Sequence, residues 1–208
     1  MKLILRKILL SFSKFKMLFY IYWNKFYFFL YNVEYGTNLR VRNRIYLSGE
    51  GIHIGDNFTY SSGDNINSVS RNSRGSFHIM SGKGGIFIGD NVGISASCFR
   101  AMDQITIGNN VLIGADCLIM DNDAHPIDFQ KRRTNFEHSI LREDYIQFIN
   151  KAPIRIDDDV WIGARCQILK GVHIGARSII AAGSIVTKDI PADTIAGGNP
   201  CKIIRALR

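Results

Sequence analysis

A chain of 208 residues, 46% hydrophobic and 21% charged, is long and apolar enough for one folded domain and excludes a disordered or low-complexity protein. The formal net charge is +8, and residues 1–35 carry +5 of it through Lys2, Arg6, Lys7, Lys14, Lys16 and Lys25 against Glu34. The cysteines show no short metal-type spacing and no secretory framework, which points to a reducing cytoplasm.

Residues 1–33 predict a helix, because they lack Gly and Pro and are dominated by apolar residues. Within 17–31 only Asn24 and Lys25 interrupt an aromatic run. The uninterrupted apolar stretches fall far short of the roughly 20 residues that a membrane span needs. No small-residue cleavage site follows, so a signal peptide is not expected. The segment is expected to lie in a membrane interface, at the inner face of the cell membrane, with its cations near anionic headgroups. The alternative is packing against the rest of the chain or a neighbouring subunit. No nucleic-acid-binding motif accompanies the positive charge, and a nucleic-acid partner is not expected.

Residues 34–60 predict a first, irregular coil with Val41, Ile45, Leu47, Ile52 and Ile54 pointing inward. The polar stretch 61–76 reads as a loop or a poorly patterned coil, and Phe77 to Ile88 restore the pattern around a glycine turn at 82–85. A repeat then emerges. Ile88-Gly89-Asp90-Asn91-Val92 is echoed by Ile107-Gly108-Asn109-Asn110-Val111, and more faintly by Ile54-Gly55-Asp56-Asn57-Phe58. From Ile156 to Pro191 the chain reads in unbroken sixes: IDDDVW, IGARCQ, ILKGVH, IGARSI, IAAGSI, VTKDIP. Every first slot is Ile or Val. A period of six is neither the 3.6 of a helix nor an alternation of two. It predicts an all-β solenoid whose triangular coils place one hexad on each face and stack the first-slot aliphatics in ladders. Cys98, Cys117 and Cys166 occupy fifth slots and are expected to face the interior as small hydrophobes.

The stretch 121–153 leaves this register, mixes charged and aromatic residues, and reads as a long inserted loop of functional character. Three divisions follow: a helical segment 1–33, a solenoid 34–195 interrupted by 121–153, and a turn and cap at 196–208 that would cover the open end.

Residues 88–204 resemble the hexapeptide-repeat acyltransferases. The motifs that carry the resemblance are DAHPID at 123–128, the block 154–191, and AGGNPCKIIR at 196–205. The branch is similar to the sugar O-acetyltransferases: the galactoside, maltose and nodulation-factor enzymes, and those of capsule, O-antigen and colanic acid synthesis. The resemblance implies a left-handed parallel β-helix and a homotrimer, with acetyl-CoA in a groove between adjacent solenoids. The acceptor it implies is a sugar or lipid-linked glycan.

Moving acetyl from a thioester to a hydroxyl requires a base, and imidazole titrates near neutrality. The resemblance gives that role to His125, with direct attack and no acyl-enzyme. The second ring nitrogen needs an orienting partner. Asp123 is the choice among Asp121, Asp123 and Asp128, although each also suits a turn cap. An Asn found at the acceptor site of the galactoside and maltose enzymes falls at Ala96 here, so Ser95 or Ser97 is a candidate replacement. Trp161 matches a family Trp at the acceptor and pantetheine channel, and Ala181, Ala182 and Gly183 match the small residues beside the pantetheine arm. Lys188 and Arg205 are assigned to the adenosine-side phosphates of CoA. Lys131, Arg132 and Arg133 in the insertion suit a phosphate on a sugar donor.

Three rival readings are weighed. An N-acetyltransferase acting on a nucleotide amino sugar, or a serine acetyltransferase, would use a similar base. A zinc carbonic anhydrase of the same fold needs three His ligands, and no pair among His53, His78, His125, His138 and His173 falls close on adjacent rungs. No metal is therefore expected. A non-catalytic scaffold would not need His125, Trp161 and Lys188 together.

Overall fold

The computed structural model describes residues 2–63, 66–70, 73–82, 84–137 and 143–207. The first-slot side chains Ile156, Ile162, Ile168, Ile174, Ile180 and Val186 are all buried, and so are the fifth-slot side chains Val160, Cys166, Val172, Ser178, Ser184 and Ile190. Two inward positions per six residues leave each side only two or three residues of strand. Successive coils pair these strands in parallel into three sheets, the solenoid expected from the repeat and the left-handed parallel β-helix that the resemblance implies.

The first sheet has six strands, from Glu34–Tyr35 to His173–Ile174, and the third has six, from Tyr46–Ser48 to Ile185–Val186. The second has eight, ending in the antiparallel pair Thr194–Gly197 and Lys202–Ala206. Registers align the inward residues: Ile88, Ile107, Ile156 and Ile174 on one face, and Phe77, Phe99, Ile119 and Ile168 on another.

The corners explain the rest of the hexad. A second-slot glycine sits where adjacent coils nearly touch. A Cβ on Gly163 would lie 2.5 Å from the Ala182 backbone nitrogen, which no side chain tolerates. Fourth-slot residues turn the corner with left-handed φ near 60°, as at Asp159, Arg165 and Arg177. Asn tolerates that region well, and here it also stacks. Asn38 donates to Asn57, Asn57 to Asn91 and Asn91 to Asn110, at 2.8, 2.9 and 3.0 Å. Beside this amide ladder, the third-slot oxygens of Asp90, Asn109 and Asp158 accept the backbone N–H of Asp56, Asp90 and Asn109.

The inward positions expected in the first coil, Val41, Ile45, Leu47, Ile52 and Ile54, are all buried. Cys117 and Cys166 are buried as expected, but Cys98 is not an interior residue. Cys98 pairs in register with Leu118, and the aligned inward residues are Phe99 and Ile119. The side after Ile94 is therefore one residue short, and Ser97, fully buried, takes the slot predicted for Cys98. Its hydroxyl donates to Gly114 O at 2.8 Å and accepts the Cys117 N–H at 3.1 Å, so it is satisfied inside the coil.

The insertion is not a plain loop. Its described residues form two helices, α2 (Phe129–Glu137) and α3 (Glu143–Ile146), and Asp128 caps α2 by accepting the Gln130 N–H at 2.8 Å.

The N-terminal helix spans Lys2–Leu30 and is called αN below. Its C-terminal half lies against the first coil. Phe28 enters the core, and the buried Asn24 donates to Val41 O at 3.2 Å and Asn43 O at 2.7 Å. Tyr27 donates to Leu47 O at 3.3 Å, and burial with the neighbouring Tyr31 pushes its hydroxyl up to about 12. Backbone carbonyls that a solenoid end would leave open are thus covered. At the other end, Lys202–Ala206 covers the edge of the second sheet rather than capping the coil from above.

Candidate active site

His125 follows the third-sheet strand Leu118–Met120, at the corner where the next coil would pass to the first sheet. Its position is fixed from both sides of the insertion. Asp121 is fully buried and accepts the N–H groups of Met102 and Asp103, each at 2.8 Å. Asn122 Oδ1 accepts the Ala124 N–H, Asp123 N–H donates to Asn150 O, and Ala152 N–H donates to Asp121 O. A tight turn follows, with His125 N–H donating to Asp123 O at 2.6 Å and Ala124 in the left-handed region. From α2, Arg132 donates to the carbonyls of Pro126 and Ile127, both at 2.9 Å.

The imidazole is exposed, and its Nδ1 lies 2.8 Å from the hydroxyl of Tyr145 on α3. The rings meet edge to face with centroids 6.3 Å apart. The partner of the ring is therefore Tyr145 and not Asp123. The Asp123 carboxylate is taken by Lys170 Nζ at 2.5 Å, and its other oxygen is buried without a partner. All three nearby aspartates serve the backbone or an ion pair. The sequence offers no sign of this role for Tyr145, which lies 20 residues along the chain in an aperiodic stretch. Lys170 was legible in principle, since it directly follows a strand paired with Leu118–Met120.

Lys188 is exposed at the same corner one coil beyond Lys170. Trp161 is elsewhere. It is 54% exposed on the second sheet, in register with Leu112, and borders a groove of about 260 Å³ that also includes Thr59, Ser61 and Ser95. Ser95 is thus open to that groove, whereas Ser97 is sequestered and Ala96 is buried with φ of 37°. Ala181, Ala182 and Gly183 form the corner between the second and third sheets, with Ala182 and Gly183 exposed and open space beside Gly183. Arg205 is exposed on the terminal antiparallel strand. One chain therefore gathers His125, Asp123 and Lys188 at one corner and leaves Trp161, the small residues and Arg205 on other sides.

The cations expected to meet a phosphate are engaged within the insertion. Arg132 holds the two carbonyls, Lys131 lies 4.0 Å from the centre of the Phe148 ring, and Arg133 lies 5.1 Å from that of Phe129. The Cys166 side chain and burial push the Cys117 thiol well above its ordinary range, which keeps it protonated and unsuited to nucleophilic work. Among the described residues no three His, Cys, Asp or Glu side chains converge as a metal-holding set, and His138 lies outside them.

The family model of the bacterial transferase hexapeptide (six repeats) matches residues 153–188, and that of the hexapeptide repeat of succinyl-transferase matches 104–120. Over these two stretches the chain is similar to the hexapeptide-repeat transferases. A Saccharomyces cerevisiae protein named as an acetyltransferase is 39% identical over 129 residues, 59% of this chain and 56% of its own length. A Schizosaccharomyces pombe protein of similar name is 43% identical over 103 residues, 50% of this chain and 44% of its own. The chain spans about half the length of the curated relatives it matches. A structure of AntD, a Bacillus cereus N-acyltransferase with an amino-sugar nucleotide and coenzyme A, aligns with a TM-score of 0.63 at 17% identity. The alignment covers 86% of this chain and 85% of AntD, and this likeness is one of fold.

Proposed function

We propose that the chain is an acetyl-CoA-dependent O-acetyltransferase whose acceptor is a sugar hydroxyl of a surface polysaccharide or its lipid-linked precursor. The observation that carries the reading is the exposed imidazole of His125, held through Nδ1 by a hydroxyl. With Nδ1–H donating to Tyr145, the Nε2 lone pair faces outward as a base. His125 removes the acceptor proton as the oxygen attacks the thioester carbonyl. It then returns that proton to the departing CoA sulfur, leaving an acetyl ester and free thiol. Thioester activation comes with the donor, so the chain need only position, deprotonate and reprotonate.

The dispersal of the other candidates over one chain favours a homotrimer. In that assembly His125 of one protomer faces the Trp161 groove and the Ala181–Gly183 corner of its neighbour. Small side chains there admit a pantetheine arm against the backbone, and Lys188 and Arg205 serve the phosphates. The test is thiol release from acetyl-CoA across a panel of sugars, lipid-linked glycans, nucleotide amino sugars and serine. Hydroxyl sugars should be the best acceptors, and His125→Ala should lower turnover at least about 100-fold. Near-normal turnover by H125A rejects the role, and preference for an amine or serine rejects the acceptor class.

A further inference from the structure

The αN helix divides into two faces. One docks on the first coil through Asn24, Tyr27 and Phe28. The opposite face is an unpartnered stripe of Phe15, Leu18, Phe19, Tyr22, Phe26 and Phe29, with Phe15, Tyr22 and Phe29 at least 70% exposed. The spacings of three and four put these side chains on one line about 20 Å long, at 1.5 Å per residue. A water-facing aromatic stripe of that length calls for an occupant.

Charge identifies it. At about 100° per residue, Lys16 and Lys25 fall on opposite flanks of the stripe, each roughly a quarter turn from its centre. Next to the docked face, Arg42 and Arg44 are exposed on the first coil, with Arg44 lying 5.7 Å from the centre of the Tyr20 ring. Residues 1–46 hold nine Lys and Arg against Glu34 alone, and the remainder of the chain holds seventeen cations against seventeen acids. The entire formal charge of +8 therefore belongs to αN and the coil beneath it. No helix among the described residues is long and apolar enough to cross a membrane.

We infer that αN is a docking face for an anionic lipid bilayer. The helix lies parallel to the surface, its aromatic stripe enters the boundary between headgroups and acyl chains, and the flanking cations meet the headgroups. A second copy of the chain would cover the stripe equally well sterically, but it would bring another fully cationic end against this one. The inference stands independently of the transfer chemistry.

The full-length chain is sedimented with phosphatidylcholine vesicles and with vesicles containing 30% phosphatidylglycerol, at low and high salt. Binding to the anionic vesicles should exceed binding to the neutral ones at least about tenfold and should weaken with salt. Lipids brominated on the acyl chain should quench fluorescence that Trp23→Phe removes. The exposed double substitution Phe19→Glu/Phe26→Glu should lower vesicle binding at least about tenfold while leaving the circular dichroism spectrum intact. A wild-type chain that stays in solution beside anionic vesicles at low salt overturns the inference. Vesicle binding unchanged by the double substitution overturns it too. So does concentration-dependent self-association that the double substitution abolishes in the absence of vesicle binding.

Discussion

Replacing Tyr145 by Phe removes one oxygen and keeps the ring that meets His125 edge to face. The oxygen lies 2.8 Å from Nδ1, so the substitution deletes one hydrogen bond at a site open to water. Such a bond contributes about 0.5–1.5 kcal/mol net. At about 1.4 kcal/mol per decade, kcat should fall roughly 2- to 12-fold. That is far less than the loss of at least about 100-fold expected when the base itself is removed. The KM for acetyl-CoA should not change, because Tyr145 acts on the ring and not on the donor. The double variant His125→Ala/Tyr145→Phe should be no slower than His125→Ala, since the phenol acts only through the imidazole. The assay is thiol release at saturating acetyl-CoA with the best acceptor from the panel. A Tyr145→Phe enzyme with unchanged kcat, or an effect that persists fully in the absence of His125, would refute the positioning role.

Other outcomes follow from the same geometry. Asn24→Ala strips two first-coil carbonyls of their donor and should destabilise the docking of αN by about 1–3 kcal/mol, read as faster amide exchange across αN and residues 40–46. Ile168→Ala opens the interior ladder between Ile119 and Val186 and should cost about 2–5 kcal/mol in denaturant unfolding. Gly163→Ala drives a methyl into the Ala182 backbone and should lower Tm clearly more than Gly183→Ala, where the added methyl meets open space and only the left-handed φ resists it. Asp157 is pushed up by burial, but the hydrogen bonds from Arg155 and His173 outweigh this and hold its carboxyl below the ordinary value of 3.8. Its native state binds the proton less readily, so its contribution is present above about pH 4 and is lost as pH falls through the depressed value. The stability gap between the wild type and Asp157→Asn should therefore shrink on acidification, and a gap that widens would contradict the assignment.

The parts of the fold that repeat were legible, because a ladder imposes the same steric demand on every coil. Ile156 to Pro191 could be counted in sixes and every inward slot agreed. The count failed where one side is short. Nothing local marks Ser97 rather than Cys98 as the inward residue, since both are small, and only the pairing of Phe99 with Ile119 fixes the slip. Asn24 resembled a polar interruption of an aromatic run because its partners are main-chain carbonyls, which have no residue signature. The imidazole at position 125 could be singled out from its motif, whereas its hydrogen-bond partner could not. Proximity in sequence favoured Asp123, and the insertion instead brings Tyr145 back across 20 residues.

That return explains how a break in the repeat can hold a reactive group in place. The jump from Ile119 to Ile156 crosses a whole insertion, yet Ile154 and Ile156 pair in register with Ile105 and Ile107. Closing a longer loop adds only slowly to its entropic cost, so length is a minor obstacle if the ends are fixed. They are fixed here by Asp121 on the preceding coil, by the exchange between 121–123 and 150–152, and by Lys170 from the following coil. The turn bearing His125 is consequently bound to three successive coils, while Tyr145 reaches it from the far side of the insertion. The solenoid and its polar corner thus fix the imidazole, and the repeat places no demand on the inserted helices.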